Sequence, residues 1–200
     1  LWALFMIHYV GWRLHIKKEP KYKGRDEEAR KQFIEYINQI EPANLVCCDE
    51  TGVSNNITSL YGWAQKGKRS YAEQAGFATE RINIVAGYNA GTKELIAPLE
   101  YYGYMDKQLF NQWVRELLCP SLKPGQLVII DNATIHKSLL VKELIEKVGC
   151  TLVYLPVYSP DLNPIEHCWA NFKNYLRKII KTFADSSDAI TSVMVKTFPG

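Results

Sequence analysis

Short apolar runs recur along the chain, and each is bounded by Pro, Gly or polar residues. Five of them have the length and composition of β-strands: 44–50, 81–88, 94–102, 127–130 and 151–155. A short link that contains Gly91 separates the second run from the third, which predicts a β-hairpin. Pro98 interrupts the third run, and because proline cannot donate a ladder hydrogen bond, this strand is predicted near an edge of the sheet.

Between these runs, apolar residues recur at spacings of three and four, as on one face of an α-helix. The pattern predicts helices at about 26–40, 106–118, 138–148 and 164–181. Because helices alternate with strands in the second half, the later strands are expected to be parallel and joined by helical crossovers. The order predicts an α/β fold with a mixed five-stranded sheet flanked by helices.

Composition bounds the class of protein without defining a partner. The chain has 200 residues, of which 47% are hydrophobic and 22% charged, and a net charge of +3, as in an ordinary globular protein. Its five cysteines form an odd count without CxxC spacing, which argues against a disulfide framework and favours the reducing cytoplasm. The apolar start at 1–10 is too short for a membrane span, which needs roughly 20 residues.

Two acidic residues lie at the ends of predicted buried strands. Asp49 ends the first run and Asp131 follows the fourth. In open α/β sheets, the carboxyl ends of parallel strands deliver side chains into one crevice. Two carboxylates brought together there repel each other unless they are protonated or bridged by a cation, and oxygen-only clusters favour Mg²⁺ or Mn²⁺. A third oxygen ligand is then expected nearby.

Glu166 is the candidate for this third ligand, although its local sequence also fits a structural role. In Asn163-Pro-Ile-Glu166, an N-cap Asn precedes a Pro at the first helical position, and the Glu at the third position can close a capping box. Asp131 and the Asn132 that follows it also suit a simple turn. Taken singly, each acidic residue favours the structural interpretation.

Four motifs together resemble the bacterial insertion-sequence transposases of the mariner superfamily. They are Cys48-Asp-Glu-Thr-Gly52, Tyr61-Gly-Trp-Ala-Gln-Lys-Gly67, Ile130-Asp-Asn-Ala-Thr-Ile-His-Lys137 and Leu155-Pro-Val-Tyr-Ser-Pro-Asp-Leu-Asn-Pro-Ile-Glu166. The last motif is the most specific, and the 34 residues between Asp131 and Glu166 are a spacing typical of the family. The resemblance covers roughly 10–180, and Gln65 departs from it where Pro is common.

The resemblance implies a ribonuclease-H-like catalytic domain that cuts DNA and transfers strands by cut-and-paste transposition. By resemblance, Asp49, Asp131 and Glu166 are the catalytic residues and the ligands of two Mg²⁺ or Mn²⁺ ions. Two metals suit in-line attack on a phosphodiester, because they activate the nucleophile and stabilise charge on the phosphoryl and leaving oxygens. The implied partners are double-stranded DNA at element ends and target and a second copy of the chain, in the bacterial cytoplasm on nucleoid DNA.

The resemblance also divides the chain. Residues 1–25 contain six Lys or Arg and one Glu, and they are interpreted as a remnant of an N-terminal DNA-binding region with a basic linker. The catalytic domain is predicted at 26–182, with an insertion at 52–80. A C-terminal tail, predicted to be helical, follows at 183–200.

Several basic residues are candidate DNA contacts, although an ordinary solvated surface explains them equally well. They are Lys66, Lys68, Arg69, His136, Lys137, Lys173 and Arg177. Strand alternation turns Glu50 away from Asp49, which leaves Glu50 out of the proposed ligands. His167 and Cys168 have no further ligands at zinc spacing, so a zinc site is rejected. Trp169 belongs to the apolar stripe of the last helix and is predicted to pack in the core.

Three functions remain open from the sequence. The first is an active transposase, and the second is a nuclease of the same fold that does not transpose. The third is a catalytically idle transposase remnant that only binds DNA or a partner. The acidic triad favours the first, whereas the short stretch before Lys17 favours a fragment.

Overall fold

A computed structural model of the chain describes residues 24–54, 57, 66–68 and 81–197. The basic arm at 1–23, most of the predicted insertion and Arg69 lie outside these residues. The strands are β1 (Leu45–Ser54), β2 (Arg81–Asn89), β3 (Leu95–Tyr102), β4 (Leu127–Ile130) and β5 (Thr151–Tyr154). The helices are α1 (Glu27–Ile37), α2 (Lys107–Trp113), α3 (Leu139–Lys147), α4 (Ile165–Ile179) and α5 (Ser186–Thr197). Helix α2 continues through a π-helical turn, Val114–Leu118, to Cys119–Ser121.

The strands form one mixed sheet in the order β3-β2-β1-β4-β5. β1, β2 and β3 are antiparallel neighbours, whereas β4 and β5 run parallel to β1. The parallel members follow helices α2 and α3, as expected for helical crossovers. The predicted hairpin and the mixed sheet are therefore confirmed, and β3 with its Pro98 lies at an edge.

Strand β1 is longer than the sequence pattern predicts. The pattern ends near Glu50, but the strand continues to Ser54 because β2 pairs with it as far as Ser54 and Arg81. Its parallel pairing with β4 stops much earlier, at Cys47 and Ile129. Asp49 therefore lies within a strand, at the point where the sheet opens between β1 and β4.

The helices begin where their N-terminal sequences predict. The side chain of Asp26 accepts a hydrogen bond from the backbone N–H of Ala29 (2.9 Å), and that of Asp106 accepts one from Leu109 (2.8 Å). These caps satisfy backbone donors that have no partner inside the helix. α1 ends at Ile37, somewhat earlier than predicted.

Each face of the sheet carries its own hydrophobic cluster. The alternating residues of β1 divide between them, with Cys47 and Val53 on one face and Val46 and Cys48 on the other. We call the first the α4 face, because it packs against the buried stripe of α4: Ile165, Trp169, Phe172 and Leu176. We call the second the α2 face, because it packs against Phe110, Trp113, Val114 and Leu118. The predicted packing role of Trp169 is confirmed.

Helix α5 belongs to this core. Its residues Ala189, Ile190 and Val193 are fully buried in the cluster of the α4 face. Its side chains also reach β3, where Ser187 Oγ and Thr191 Oγ1 donate hydrogen bonds to Glu100 (2.7 and 3.3 Å). The segment interpreted as a tail is therefore packed against the sheet.

All five cysteines are buried as free thiols. No helix in the described ranges is long and apolar enough to cross a membrane.

Candidate active site

Three acidic residues from separate elements approach one another on the α4 face. Asp49 comes from β1, Asp131 directly follows β4, and Glu166 lies in the first turn of α4. Alternation places Asp131 on the same face as Ile129 and Asp49 on the same face as Cys47, both of which belong to the α4-face cluster. Neighbouring strands and one helix N-terminus therefore place three acidic residues around the same opening of the sheet.

The electrostatics of Asp49 show that these carboxylates influence one another. Burial raises the pKa of Asp49, and the nearby charges of Glu166 and Asp131 raise it further, to about 7. A hydrogen bond from the backbone N–H of Glu50 opposes this shift. Asp49 therefore binds a proton at a pH where an exposed aspartate is ionised, which is the behaviour of a carboxylate that lacks a countercharge.

The donor set fits a hard divalent cation. It consists of carboxylate oxygens, which Mg²⁺ and Mn²⁺ prefer, and a bound cation would relieve the repulsion that raises the pKa of Asp49. Among the described residues, no three His, Cys, Asp or Glu side chains converge closely enough to enclose an ion. The exposed Glu166 side chain would have to move inward to complete such a site.

The structure tests the capping interpretation of Glu166 and does not support it. Asn163 is extended and precedes the helix, as an N-cap residue would, but it is buried and its Nδ2 donates to the backbone carbonyl of Cys48 (3.3 Å). The N–H of Asn163, which a capping box would pair with the glutamate, donates instead to the carbonyl of Pro160 (2.9 Å). The carboxylate of Glu166 is therefore not occupied by a capping box.

The loop before α4 is tied to the rest of the domain at two points. Asn163 binds β1 at Cys48, one residue before Asp49. Asp161 accepts hydrogen bonds from the guanidinium groups of Arg30 (2.7 and 3.1 Å) and Arg25 (2.9 Å), which hold the pKa of its carboxyl low against the opposing effect of burial. These ties position the first turn of α4, and with it Glu166, beside β1.

His136 is a candidate DNA contact in the sequence, and the structure places it elsewhere. Its side chain is only 7% exposed, and its ring lies against Phe110 with 4.1 Å between the ring centroids. Nδ1 contacts Oδ1 of Asp131, and Nε2 lies 3.0 Å from Oε1 of Glu50. Both ring nitrogens are therefore paired with carboxylates inside the protein, and His136 is not available to a DNA phosphate.

These contacts shift the titration of both partners in opposite directions. Burial alone lowers the pKa of the His136 imidazolium, but the hydrogen bonds and charges of Asp131 and Glu50 outweigh it and raise the pKa to about 9. Burial alone would raise the pKa of Asp131, but the hydrogen bonds from His136 and from the N–H of Ala133 lower it. Near neutral pH, Asp131 is therefore an ionised carboxylate, whereas its neighbour Asp49 is partly protonated.

A cationic flank, formed by Arg81, Lys173 and Arg177, lies beside the carboxylates. Burial lowers the pKa of Lys173, the charge of Glu166 raises it, and the positive charges of Arg177 and Arg81 lower it again, so these groups are mutual neighbours. The sequence predicts Lys173 and Arg177 on the same flank of α4 as Glu166. Their half-buried side chains bring positive charge to the edge of the acidic site.

The sequence does not predict a role for Arg81, because nothing around this residue distinguishes it from an ordinary strand start. Pairing of β1 and β2 places its side chain over Gly52, where an added Cβ would lie only 2.4 Å from a guanidinium nitrogen. Only glycine leaves room for this approach. A Gly three residues after an acidic strand position is the one sequence signal that bears on it.

The remaining candidate DNA contacts lie on the surface. Lys66 and Lys68 flank Gly67 in an exposed turn, and Lys137 is exposed directly after His136. Arg69 lies outside the described residues. The structure brings none of these lysines into contact with the three acidic residues.

Comparison with solved structures assigns the fold. The chain resembles the Mos1 transposase paired-end complex with the left transposon end, with a TM-score of 0.63 and 12% identity over 98% of this chain and 67% of that chain. It resembles the Mos1 mariner paired-end complex with Mn (TM-score 0.60, 13% identity, 98% and 68% covered). It also resembles a simian T-cell lymphotropic virus intasome (TM-score 0.55, 9% identity, 78% and 48% covered). The mixed sheet and its helices thus form a ribonuclease-H-like α/β fold.

The family follows from the sequence. The family model described as DDE superfamily endonuclease matches residues 44–190, and the chain belongs to this family. No curated protein sequence matches the chain. The chain spans about two thirds of the length of the Mos1 chains.

Proposed function

We propose that this chain is a transposase catalytic domain that cleaves DNA strands and joins a 3′-hydroxyl to a target phosphodiester. The observation that carries the proposal is the approach of Asp49, Asp131 and Glu166, whose mutual repulsion helps to raise the pKa of Asp49 to about 7. Repulsion of this kind is tolerated in a fold when a bound cation or a bound proton offsets it. The capping role that would explain Glu166 differently lacks its hydrogen bonds.

Each carboxylate has a distinct part in the proposed site. Asp131 is ionised and held by hydrogen bonds, so it is the pre-formed ligand of a divalent cation. Without metal, Asp49 is partly protonated near neutral pH, and it would release that proton as a cation binds. Glu166 is exposed, so its side chain has room to turn inward and complete a second cation site. When bound, two Mg²⁺ or Mn²⁺ ions supply Lewis-acid activation of the attacking oxygen and neutralise charge on the phosphate.

The cationic flank gives the proposed site a place for the DNA backbone. Arg81, Lys173 and Arg177 carry positive charge beside the carboxylates, where a phosphate would otherwise be repelled. Phosphate contacts of this kind position the duplex without reading its sequence. Base recognition is then a task for other parts of the protein.

The wider setting follows the resemblance. We propose an insertion-sequence transposase of the mariner superfamily that works by cut and paste, as a homodimer on double-stranded DNA, in the bacterial cytoplasm. The similarity to a Mos1 paired-end complex with a transposon end supports the DNA partner. Residues 1–25 are proposed as the remnant of a DNA-binding region and its basic linker, and 26–182 as the catalytic domain with an insertion at 52–80.

Nicking of supercoiled plasmid in Mn²⁺ tests the proposal without requiring a known element end. Glu166→Gln keeps the size of the side chain but removes its charge, so nicking should fall by about two orders of magnitude or more while the melting temperature changes little. Asp49→Asn and Asp131→Asn should lose nicking as well. Glu143→Gln, an exposed acid on α3, serves as the matched control and should keep full activity.

Two outcomes would contradict the proposal. One is nicking by the Glu166→Gln protein at the wild-type rate. The other is wild-type protein that neither nicks DNA nor responds to Mn²⁺ in a thermal melt, which would favour an idle remnant that only binds DNA or a partner.

A further inference from the structure

A chain of hydrogen bonds links the two faces of the sheet at the candidate site. Asp131 contacts Nδ1 of His136, Nε2 of His136 lies 3.0 Å from Oε1 of Glu50, and Oε2 of Glu50 accepts a hydrogen bond from the hydroxyl of Tyr101 (2.9 Å). Tyr101 and Phe110, which stacks on the His136 ring, belong to the α2-face cluster. This series of hydrogen bonds therefore runs from the packed α2 face to the carboxylate of Asp131, which faces the opposite side of the sheet.

The two hydrogen bonds that Asp131 accepts fall on the same oxygen. Oδ1 receives the backbone N–H of Ala133 at 3.0 Å and also contacts Nδ1 of His136. Within the described part of the chain, Oδ2 accepts no hydrogen bond from another residue. Fixing Oδ1 from two directions sets the plane of the carboxylate, and it leaves Oδ2 as the atom that is free to meet a ligand.

His136 is itself held firmly. Glu50 binds its far nitrogen, Phe110 covers its ring, and the hydroxyl of Tyr154 donates to its backbone carbonyl (3.1 Å). A ring that is fixed at its main chain, its face and its far nitrogen has one orientation available. This orientation is transmitted to Asp131.

We propose that His136 is a positioning residue that orients Asp131 for a divalent cation, and that Glu50 acts through His136 to hold it there. This inference rests on the proposed function, because it requires Asp131 to be a metal ligand. Groups that orient a ligating side chain in this way commonly change metal affinity by about 10- to 100-fold when they are removed. Glu50 can hold His136 in this way even though its side chain points away from Asp49.

Two substitutions separate the two nitrogens of His136. In His136→Asn, the amide nitrogen can take the place of Nδ1 and bind Asp131, but it cannot reach Glu50. In His136→Gln, the longer amide can take the place of Nε2 and bind Glu50, but it leaves Asp131 unpaired. Both variants lose the ring and its packing on Phe110, so they are matched in the structural damage they cause.

Mn²⁺ affinity of the full chain without DNA, measured from the free Mn²⁺ signal in electron paramagnetic resonance, is the readout. We expect His136→Gln to weaken Mn²⁺ binding by about 10-fold or more and His136→Asn to stay within about threefold of wild type. Glu143→Gln, the exposed acid on α3, serves again as the control and should bind Mn²⁺ like wild type. Equal affinities for the Asn and Gln variants, or a weaker Asn variant, would overturn the inference.

Asp131→Asn separates failure of this inference from failure of the proposed function. If Asp131→Asn does not weaken Mn²⁺ binding, the metal site itself is misplaced and both proposals fall. If it does weaken binding while His136→Gln does not, only the positioning role falls.

Glu50→Ala keeps the ring and its packing, so its effect in the wild-type background tests the same hydrogen bonds even if both His136 variants fail to fold, and an unchanged Mn²⁺ affinity there would overturn the inference. Glu50→Ala should weaken Mn²⁺ binding in the wild-type background and have no further effect in the His136→Gln background, because the link to Asp131 is already broken there. A loss of the same size in both backgrounds would mean that Glu50 acts on the cation directly, which contradicts the proposal.

Discussion

Two aspartates that lie side by side in this site titrate in opposite directions because their partners differ. Burial favours the protonated form of Asp131, but hydrogen bonds from His136 and from the N–H of Ala133 stabilise its ionised form and outweigh burial. Asp49 has mainly burial and the repulsion of Glu166 and Asp131, which favour its protonated form. In the proposed function, a divalent cation would supply the countercharge that Asp49 lacks and would displace its proton.

Asp49→Asn should therefore stabilise the metal-free protein at alkaline pH. A folded pKa raised from 3.8 to about 7 means that stability is fully present below the ordinary pKa and is lost as the pH rises through about 7. Asparagine resembles the protonated acid and escapes this loss, which amounts to a few kcal/mol at most. Thermal melts in EDTA should show a gain for Asp49→Asn that is clearly larger at pH 8 than at pH 5, because most of the loss falls between these two pH values.

The opposite sign is expected for Asp131→Asn, because a lowered pKa contributes stability that is present above the ordinary value. This variant should lose stability at both pH values in the same melts. Adding Mn²⁺ should raise the midpoint of the wild-type protein at pH 8 and close the gap to Asp49→Asn. An Asp49→Asn gain of equal size at pH 5 would contradict the assignment.

At the scale of the elements, strand pairing brings groups into the site that are distant in sequence. The register of β1 and β2 places Arg81 over Gly52, and the loop before α4 is tied to β1 through Asn163 and Cys48. Neither contact depends on a local motif. Both depend on which elements are neighbours, and the second holds the loop before α4 one residue away from Asp49.

Gly52→Ala should weaken DNA binding while it costs little stability. The new methyl group would meet the guanidinium of Arg81, a flexible side chain that can swing away, so the strand itself has little reason to shift. Loss of one phosphate contact should lower the affinity for a short duplex about as much as Arg81→Ala does.

Fluorescence anisotropy with a labelled duplex and thermal melts of the same samples check this prediction together. Since both substitutions act on one contact, the double variant should bind no more weakly than either single variant. Gly52→Ala protein that melts much earlier, or that binds DNA like wild type, would show that Arg81 does not serve the DNA from this position.

At the scale of the whole molecule, acidic and basic groups are separated along one opening. The carboxylates lie where β1 and β4 part, and Arg81, Lys173 and Arg177 border them. The small net charge of +3 does not show this arrangement, because acidic and basic residues are nearly equal in number and differ in where they lie. Such a layout suits a polyanion that is held at its backbone and cut at one phosphate.

Duplex binding by this chain should be weak, independent of sequence and steeply dependent on salt. Each phosphate that is neutralised contributes about −0.9 to the slope of log affinity against log salt. Replacing Lys173 and Arg177 with alanine should therefore make the slope shallower by up to about two, equally for unrelated duplexes. Anisotropy titrations across a series of salt concentrations measure it, and tight, salt-tolerant binding to one sequence would refute the expectation.

Local chemistry explains how much of the fold could be predicted from the sequence. Apolar runs, Pro and Gly boundaries and the capping residues Asp26 and Asp106 depend on neighbours within a few positions, so the pattern locates all five strands and the first four helices to within a few residues. It misplaces the end of β1 because β2 extends that strand to Ser54, and this pairing is not local. For the same reason, the pattern does not predict that helix α5 is buried.

The acidic residues of the site could be selected from the sequence, but their protonation and their neighbours in the fold could not be predicted. Strand ends and motif spacing single out Asp49, Asp131 and Glu166, because an α/β sheet brings such positions to one edge. Only the tertiary structure decided that Asn163 binds β1 rather than capping α4, that His136 is buried between Asp131 and Glu50, and that Arg81 joins the flank. Hydrogen bonds between residues that are far apart in the chain are set by packing, and no local pattern encodes them.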